Sequence, residues 1–87
     1  MTAPDIIIYT KDWCSYCRGA KDLLQRLGYH YTEVDVTSDQ QRFREMVERA
    51  EGRTTVPQIF IDDAGIGGYT ELSALVRSGR LQPASAG

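Results

Sequence analysis

The chain has 87 residues, 41% hydrophobic and 25% charged, with 10 basic against 12 acidic side chains and a formal net charge of -2. That is enough for one compact domain, 1–87, with one modest core and no second domain beside it. Mixed charge gives no basic stripe for nucleic acid or an anionic membrane, and the longest aliphatic run, Ile6-Ile7-Ile8, is too short to cross a bilayer.

Asp5 to Thr10 is apolar and rich in β-branched residues, as a central strand covered on both faces requires. From Cys14 to Leu27 the positions Cys17, Ala20, Leu23, Leu24 and Leu27 recur at helical spacing, and Gly28 marks the stop. Tyr31 to Val36 alternates as a second strand with Glu33 and Asp35 toward water. Ser38 or Asp39 then caps a helix whose stripe is Phe43, Met46, Val47 and Ala50, ending at Gly52. Strand, helix, strand favours a parallel pair with a right-handed crossover.

Val56 to Ile61 is a third strand, and Pro57 has to lie at its start because proline donates no ladder hydrogen bond. Asp62-Asp63-Ala64-Gly65 makes a hairpin turn into a short strand, Ile66-Gly67-Gly68, and a last helix runs from about Thr70 to Ser78 with Leu72, Leu75 and Val76 inward. The small, polar tail 82–87 is expected to fray. No leader of cationic then apolar residues opens the chain, so a cytoplasmic location is expected.

Two cysteines three residues apart, in Trp13-Cys14-Ser15-Tyr16-Cys17, would close too short a loop to restrain the unfolded chain, so their value is chemical. On the first turn of a helix, unpaired N–H groups and the helix dipole favour a thiolate, and Cys14 takes that position. Cys17 lies one turn deeper on the same face, where it can attack a mixed disulfide on Cys14. Lys11 either adds a cation beside the sulfur or is simply solvated. The rival reading, half of a zinc site, lacks ligands: beyond these cysteines there is one histidine, His30, at a helix-to-strand junction where a packed or surface imidazole is the default.

Ile8-Tyr9-Thr10-Lys11 followed by the cysteine motif, Gly52 to Ile61 (GRTTVPQIFI), and Ile66-Gly67-Gly68-Tyr69 together resemble the glutaredoxins along nearly the whole chain. The resemblance implies a thioredoxin-like α/β fold, a mixed sheet of about four strands flanked by three helices in the order β-α-β-α-β-β-α. It implies a cis bond before Pro57 that sets the Val56 backbone beside the Cys14 sulfur. It also implies a glutathione seat in which Lys11 and Tyr16 flank the tripeptide, Val56 binds its cysteinyl backbone, Gly68, Tyr69 and Thr70 hold its γ-glutamyl end, and Thr55 and Pro57 belong to the same seat. The sequence departs from the family at Ser15, where many dithiol members have proline, and at Thr70, where aspartate is common ahead of the acidic residue matched by Glu71.

The function so implied is glutathione-dependent reduction of protein–glutathione mixed disulfides and protein disulfides, with Cys14 as nucleophile, Cys17 as resolver and glutathione as co-substrate. Its partners would be glutathionylated or disulfide-containing proteins, and the chain a monomer. A second possibility, raised by Ser15, is a dimer holding a [2Fe–2S] cluster through Cys14 of each subunit and bound glutathione. Reduction independent of glutathione, as in thioredoxins, and a mere interaction module are the other readings.

Overall fold

The computed structural model describes residues 3–84. Its elements are β1 (Ile6–Thr10), α1 (Ser15–Arg26), β2 (Thr32–Asp35), α2 (Gln40–Arg49), β3 (Gln58–Ile61), β4 (Ala64–Gly67) and α3 (Tyr69–Arg77). The strands form one sheet in the order β2-β1-β3-β4, with β1 and β2 parallel and the β1–β3 and β3–β4 pairs antiparallel. This is the thioredoxin-like α/β arrangement that the resemblance implies.

The apolar run of β1 follows from its place inside the sheet. Ile6 and Ile8 point to one face and join Ala20 and Leu24 of α1, Ile59 of β3 and Leu72 of α3. Tyr9 points to the other, where Val36, Met46, Ala50 and Phe60 meet it beneath α2. Each fully buried aliphatic or aromatic side chain here contributes roughly 1.5–3 kcal/mol. Alternation sends successive residues to opposite faces, and both are covered, so every second residue need not be polar. At the edge, β2 exposes Thr32, Glu33 and Asp35 and half-buries Val34.

The helix ends follow local chemistry. Asp39 caps α2, its Oδ1 accepting from the Arg42 N–H at 3.0 Å. α3 begins at Tyr69, one residue before the expected Thr70, because the Glu71 Oε1 accepts from the Gly68 N–H at 2.7 Å and ties off the helix entry there.

The second half of the sheet departs in detail from the sequence reading. β3 begins at Gln58 rather than Val56: Pro57 has no N–H to donate to the ladder, and Val56, joined to it by a cis peptide, stays outside. The β3–β4 turn has only Asp62 and Asp63 between the strands, both at positive φ (50° and 67°), so β4 starts at Ala64 and not at Ile66. A two-residue turn with both φ positive matches the twist of a hairpin, and aspartate tolerates that conformation.

Past α3, Gln82 and Ala84 reach back to the end of α1: the Tyr29 hydroxyl donates to the Gln82 carbonyl, and the Ala84 N–H donates to the Leu27 carbonyl at 2.7 Å. The last part of the expected tail, 85–87, lies outside the described residues. Among the described residues no helix is long and apolar enough to cross a membrane.

Candidate functional site

The site forms where β1, the central strand, delivers the chain into α1. Cys14 is the N-cap residue of that helix, with extended backbone, and its Sγ accepts from the Cys17 N–H at 3.1 Å. A cap residue's side chain takes up an N–H that has no partner within the helix, and here the acceptor is sulfur.

Cys17 is 1% exposed, whereas Cys14 is half-buried and open at the surface. Burial, with a smaller contribution from its hydrogen bond to Cys14, pushes the Cys17 thiol up to about 12. At neutral pH it is therefore protonated, and the two cysteines are chemically unequal before any reaction begins.

The loop ahead of β3 closes the site from the other side. The Cys14 thiol donates to the Val56 carbonyl at 3.6 Å, and Pro57 is buried behind it. Gln58 is fixed beneath this loop, its amide donating to the Thr55 carbonyl and hydroxyl at 3.0 and 3.2 Å. Tyr16, at the start of α1, and Tyr69, at the start of α3, face each other with ring centroids 6.0 Å apart. The Tyr69 ring lies over Gly19, where a β-carbon would come within 3.2 Å of it, so a helix-interior glycine makes room for the aromatic.

Between these walls is a cleft of about 300 Å³ whose lining includes Tyr16, Thr55, Val56, Pro57, Gly68, Tyr69 and Thr70. Seven of the residues implied from sequence are thus brought together, with Cys14 at the edge they share through Val56. Lys11 is not among them. It is exposed, its Nζ lies 4.9 Å from the centroid of the Phe43 ring, and it lines a neighbouring depression that borders Cys14 and shares Val56 with the cleft.

The lining also includes Arg53 and Gln58, which the sequence does not single out, and Glu71, which it marks only as the acidic residue after Thr70. Gln58 had a signal, an amide inside an otherwise apolar strand run, which implies a buried polar partner. Glu71 had one too, as the acidic residue three positions after Gly68 in a helix start. Arg53 had none beyond lying next to Thr54-Thr55. Its guanidinium passes close to Gly67, where a β-carbon would lie 2.9 Å from Nη1.

Comparison with known proteins agrees with this geometry. A glutaredoxin family model matches residues 6–66. The chain is 46% identical over 79 residues to glutaredoxin 3 of Escherichia coli K12, covering 91% of this chain and 94% of that one. Its fold superposes on the crystal structure of a buckwheat glutaredoxin–glutathione complex with a TM-score of 0.79 at 29% identity, covering 90% of this chain and 73% of that one. It also superposes on the holo form of glutaredoxin C1 from a poplar hybrid with a TM-score of 0.78 at 29% identity, over 90% and 72% of the two chains. An N-cap cysteine with a buried partner one turn on, a matching family model and close relatives along nearly their full length lead to one conclusion: the chain belongs to the glutaredoxin family and is a glutathione-dependent thiol–disulfide oxidoreductase.

Proposed function

We propose that Cys14 is the attacking thiolate and that glutathione lies in the cleft between Tyr16, the Thr55–Pro57 loop and the start of α3. The observation that carries this is the inequality of the cysteines: Cys14 accepts the Cys17 N–H at the open end of α1, while the Cys17 thiol is buried. In this reading the Cys14 thiolate attacks the glutathione sulfur of a mixed disulfide. The bond from that sulfur to the target breaks, the target leaves as a thiolate and takes a proton, and Cys14 is glutathionylated. A second glutathione thiolate attacks the same glutathione sulfur, giving glutathione disulfide and regenerating Cys14; both electrons come from glutathione. Cys17 enters only when a target joined directly to Cys14 has to be displaced.

Within the cleft, the Val56 backbone pairs with the cysteinyl part of glutathione, and Gly68, Tyr69 and Thr70 receive its γ-glutamyl carboxylate at the N-terminus of α3. Arg53 supplies a cation to the same cleft. The complex of the buckwheat relative supports this seat. Protein–glutathione mixed disulfides and protein disulfides are the substrates of this reading, and the reducing cytoplasm is the compartment that keeps both cysteines available.

The deciding experiment is a glutathione-coupled reduction assay on Cys14→Ser and Cys17→Ser. Cys14→Ser is expected to lose activity by more than about a hundredfold, and Cys17→Ser to retain turnover of glutathione mixed disulfides while losing dithiol reduction of protein disulfides. Activity retained in Cys14→Ser overturns the assignment.

A second reading, a cluster-holding dimer, is favoured by Ser15 and by the holo form of the poplar relative. Among the described residues no group of three His, Cys, Asp or Glu side chains can hold a metal. Cys14 is the one open thiol, so a [2Fe–2S] group would need Cys14 of two subunits and two glutathione thiolates, and would supply storage or transfer of the cluster rather than disulfide exchange. Anaerobic reconstitution with iron, sulfide and glutathione, followed by absorption spectroscopy and sizing, tests it; a colourless monomer ends this reading.

A further inference from the structure

Among the described residues two polar side chains are buried, Thr10 and Gln58, and Gln58 is 3% exposed. An amide taken out of water destabilises the fold unless its groups are bonded, so an aliphatic residue would be the more favourable occupant of this position. By alternation along β3 the Gln58 side chain lies on the same face as Phe60, beneath α2, and its backbone pairs with Tyr9 of the central strand. The glutamine thus opens β3 from a point tied to the strand that leads into Cys14.

From there the side chain turns back toward the loop that precedes the strand. Its Nε2 donates to both the carbonyl and the hydroxyl of Thr55, at 3.0 and 3.2 Å. A carbonyl can only accept, so the amide nitrogen is committed to Thr55, and the paired bonds to one residue fix the plane of the Thr55–Val56 peptide. Little else does so. Residues 51–55 are exposed and Pro57 has no N–H to give. Among the described residues the hydrogen bonds reaching Thr54, Thr55 and Val56 come from Gln58 and from the Cys14 thiol. The Val56 side chain packs at the margin of the core beneath α2, which holds the residue but not the direction of its carbonyl.

We infer that Gln58 is a positioning residue for the exchange reaction: by clamping Thr55 it fixes the Val56 carbonyl beside the Cys14 sulfur, as the acceptor for the cysteinyl N–H of glutathione. The inference rests on the reading of glutathione in the cleft. Disulfide exchange needs the attacking, central and leaving sulfurs close to one line. A glutathione held through its cysteinyl backbone brings its sulfur to Cys14 along a path that this one carbonyl sets. Gln58 bonds to neither sulfur; its hydrogen bonds go to Thr55. It therefore acts on a substrate that carries glutathione, and not on the reaction of Cys14 with a disulfide that lacks it.

The test is Gln58→Met, which keeps the length of the side chain but cannot donate. On the glutathione mixed disulfide of 2-mercaptoethanol its kcat/KM should fall about tenfold, mainly through KM, as the loss of a hydrogen-bonded clamp predicts. The single-turnover reaction of reduced Cys14 with dithiobis(nitrobenzoate), which needs no glutathione seat, should stay within about twofold. Gly79→Ala, which perturbs the fold away from the cleft, should stay within about twofold on both reagents. A Gln58→Met protein that keeps its kcat/KM on the glutathione substrate, or one that loses equally on both reagents, overturns the inference. Unmodified protein that reacts with dithiobis(nitrobenzoate) but not with the glutathione substrate instead refutes the glutathione reading beneath it. Should Gln58→Met not fold, nuclear magnetic resonance of the unmodified protein decides. The Gln58 side-chain amide protons should exchange with solvent at least about tenfold more slowly than those of the exposed Gln40, and their resonances should shift when Cys14 is glutathionylated. Exchange as fast as at Gln40, or resonances that do not move, overturns the inference.

Discussion

The Cys14 sulfur lies 3.6 Å from the carbonyl oxygen of Val56, a residue 42 positions further along the chain. This contact joins the start of α1 to the loop before β3, and Val56 is the residue shared by the cleft and the depression that borders Cys14.

The unequal cysteines have a direct chemical readout. With Cys17 pushed up to about 12, its thiol is neutral through the physiological range and buried as well. Iodoacetamide at about pH 7 should modify the reduced folded protein once, at Cys14, and the urea-unfolded protein twice; peptide mass spectrometry distinguishes the two. Equal modification of both cysteines in the folded protein would contradict the burial that makes Cys17 a resolver.

Thr70 lines the cleft at the first turn of α3 without bringing a charge to it. Thr70→Asp should lower the KM for glutathione by about three- to tenfold, because a carboxylate there can meet the tripeptide's ammonium through a charge-assisted hydrogen bond. Steady-state kinetics with glutathione as the varied substrate measure it, and kcat should change little.

Gly67 tests how the cleft wall is built. It sits at φ +103°, and a β-carbon there would lie 2.7 Å from the Glu71 Oε1. Gly67→Ala should cost about 1–2 kcal/mol, lowering Tm by roughly 5–15 °C, and should also raise the KM for glutathione as Glu71 is displaced from the Gly68 N–H. Gly79 is the comparison, since it too has positive φ, +76°, but open space around its Cα. Gly79→Ala should lower Tm through the backbone alone and leave the KM unchanged.

Glu33 contributes a pH-dependent share of stability. Its Oε2 accepts from the Thr10 hydroxyl at 2.6 Å and from Lys21 at 3.0 Å, and these hold its carboxyl below the ordinary value of 4.5. A folded pKa below the unfolded one means the contribution is complete above about pH 4.5 and lost as the pH falls through the depressed value. Because the pair is partly solvent-screened, it is worth less than about 1 kcal/mol. Urea midpoints should show the unmodified protein losing its advantage over Glu33→Gln as the pH is lowered below the ordinary carboxyl value of 4.5.

Much of this protein follows from local sequence. The spacing of Cys17, Ala20 and Leu24 sets the inward face of α1, Asp39 starts α2, and β-branched residues form β1; each depends on a repeat or a cap that a few neighbouring residues specify. The cysteine motif at a helix start likewise announces its chemistry without any distant partner. Tertiary structure decided what depends on residues far apart. It left Val56 out of the β3 ladder and beside Cys14, shortened the β3–β4 turn to Asp62 and Asp63, spent a helical glycine on the Tyr69 ring, and turned Lys11 onto Phe43 away from the cleft. Periodicity and capping act over one or two turns, whereas a cleft is the space left after separate elements pack, so its walls are known only once the sheet has brought them together.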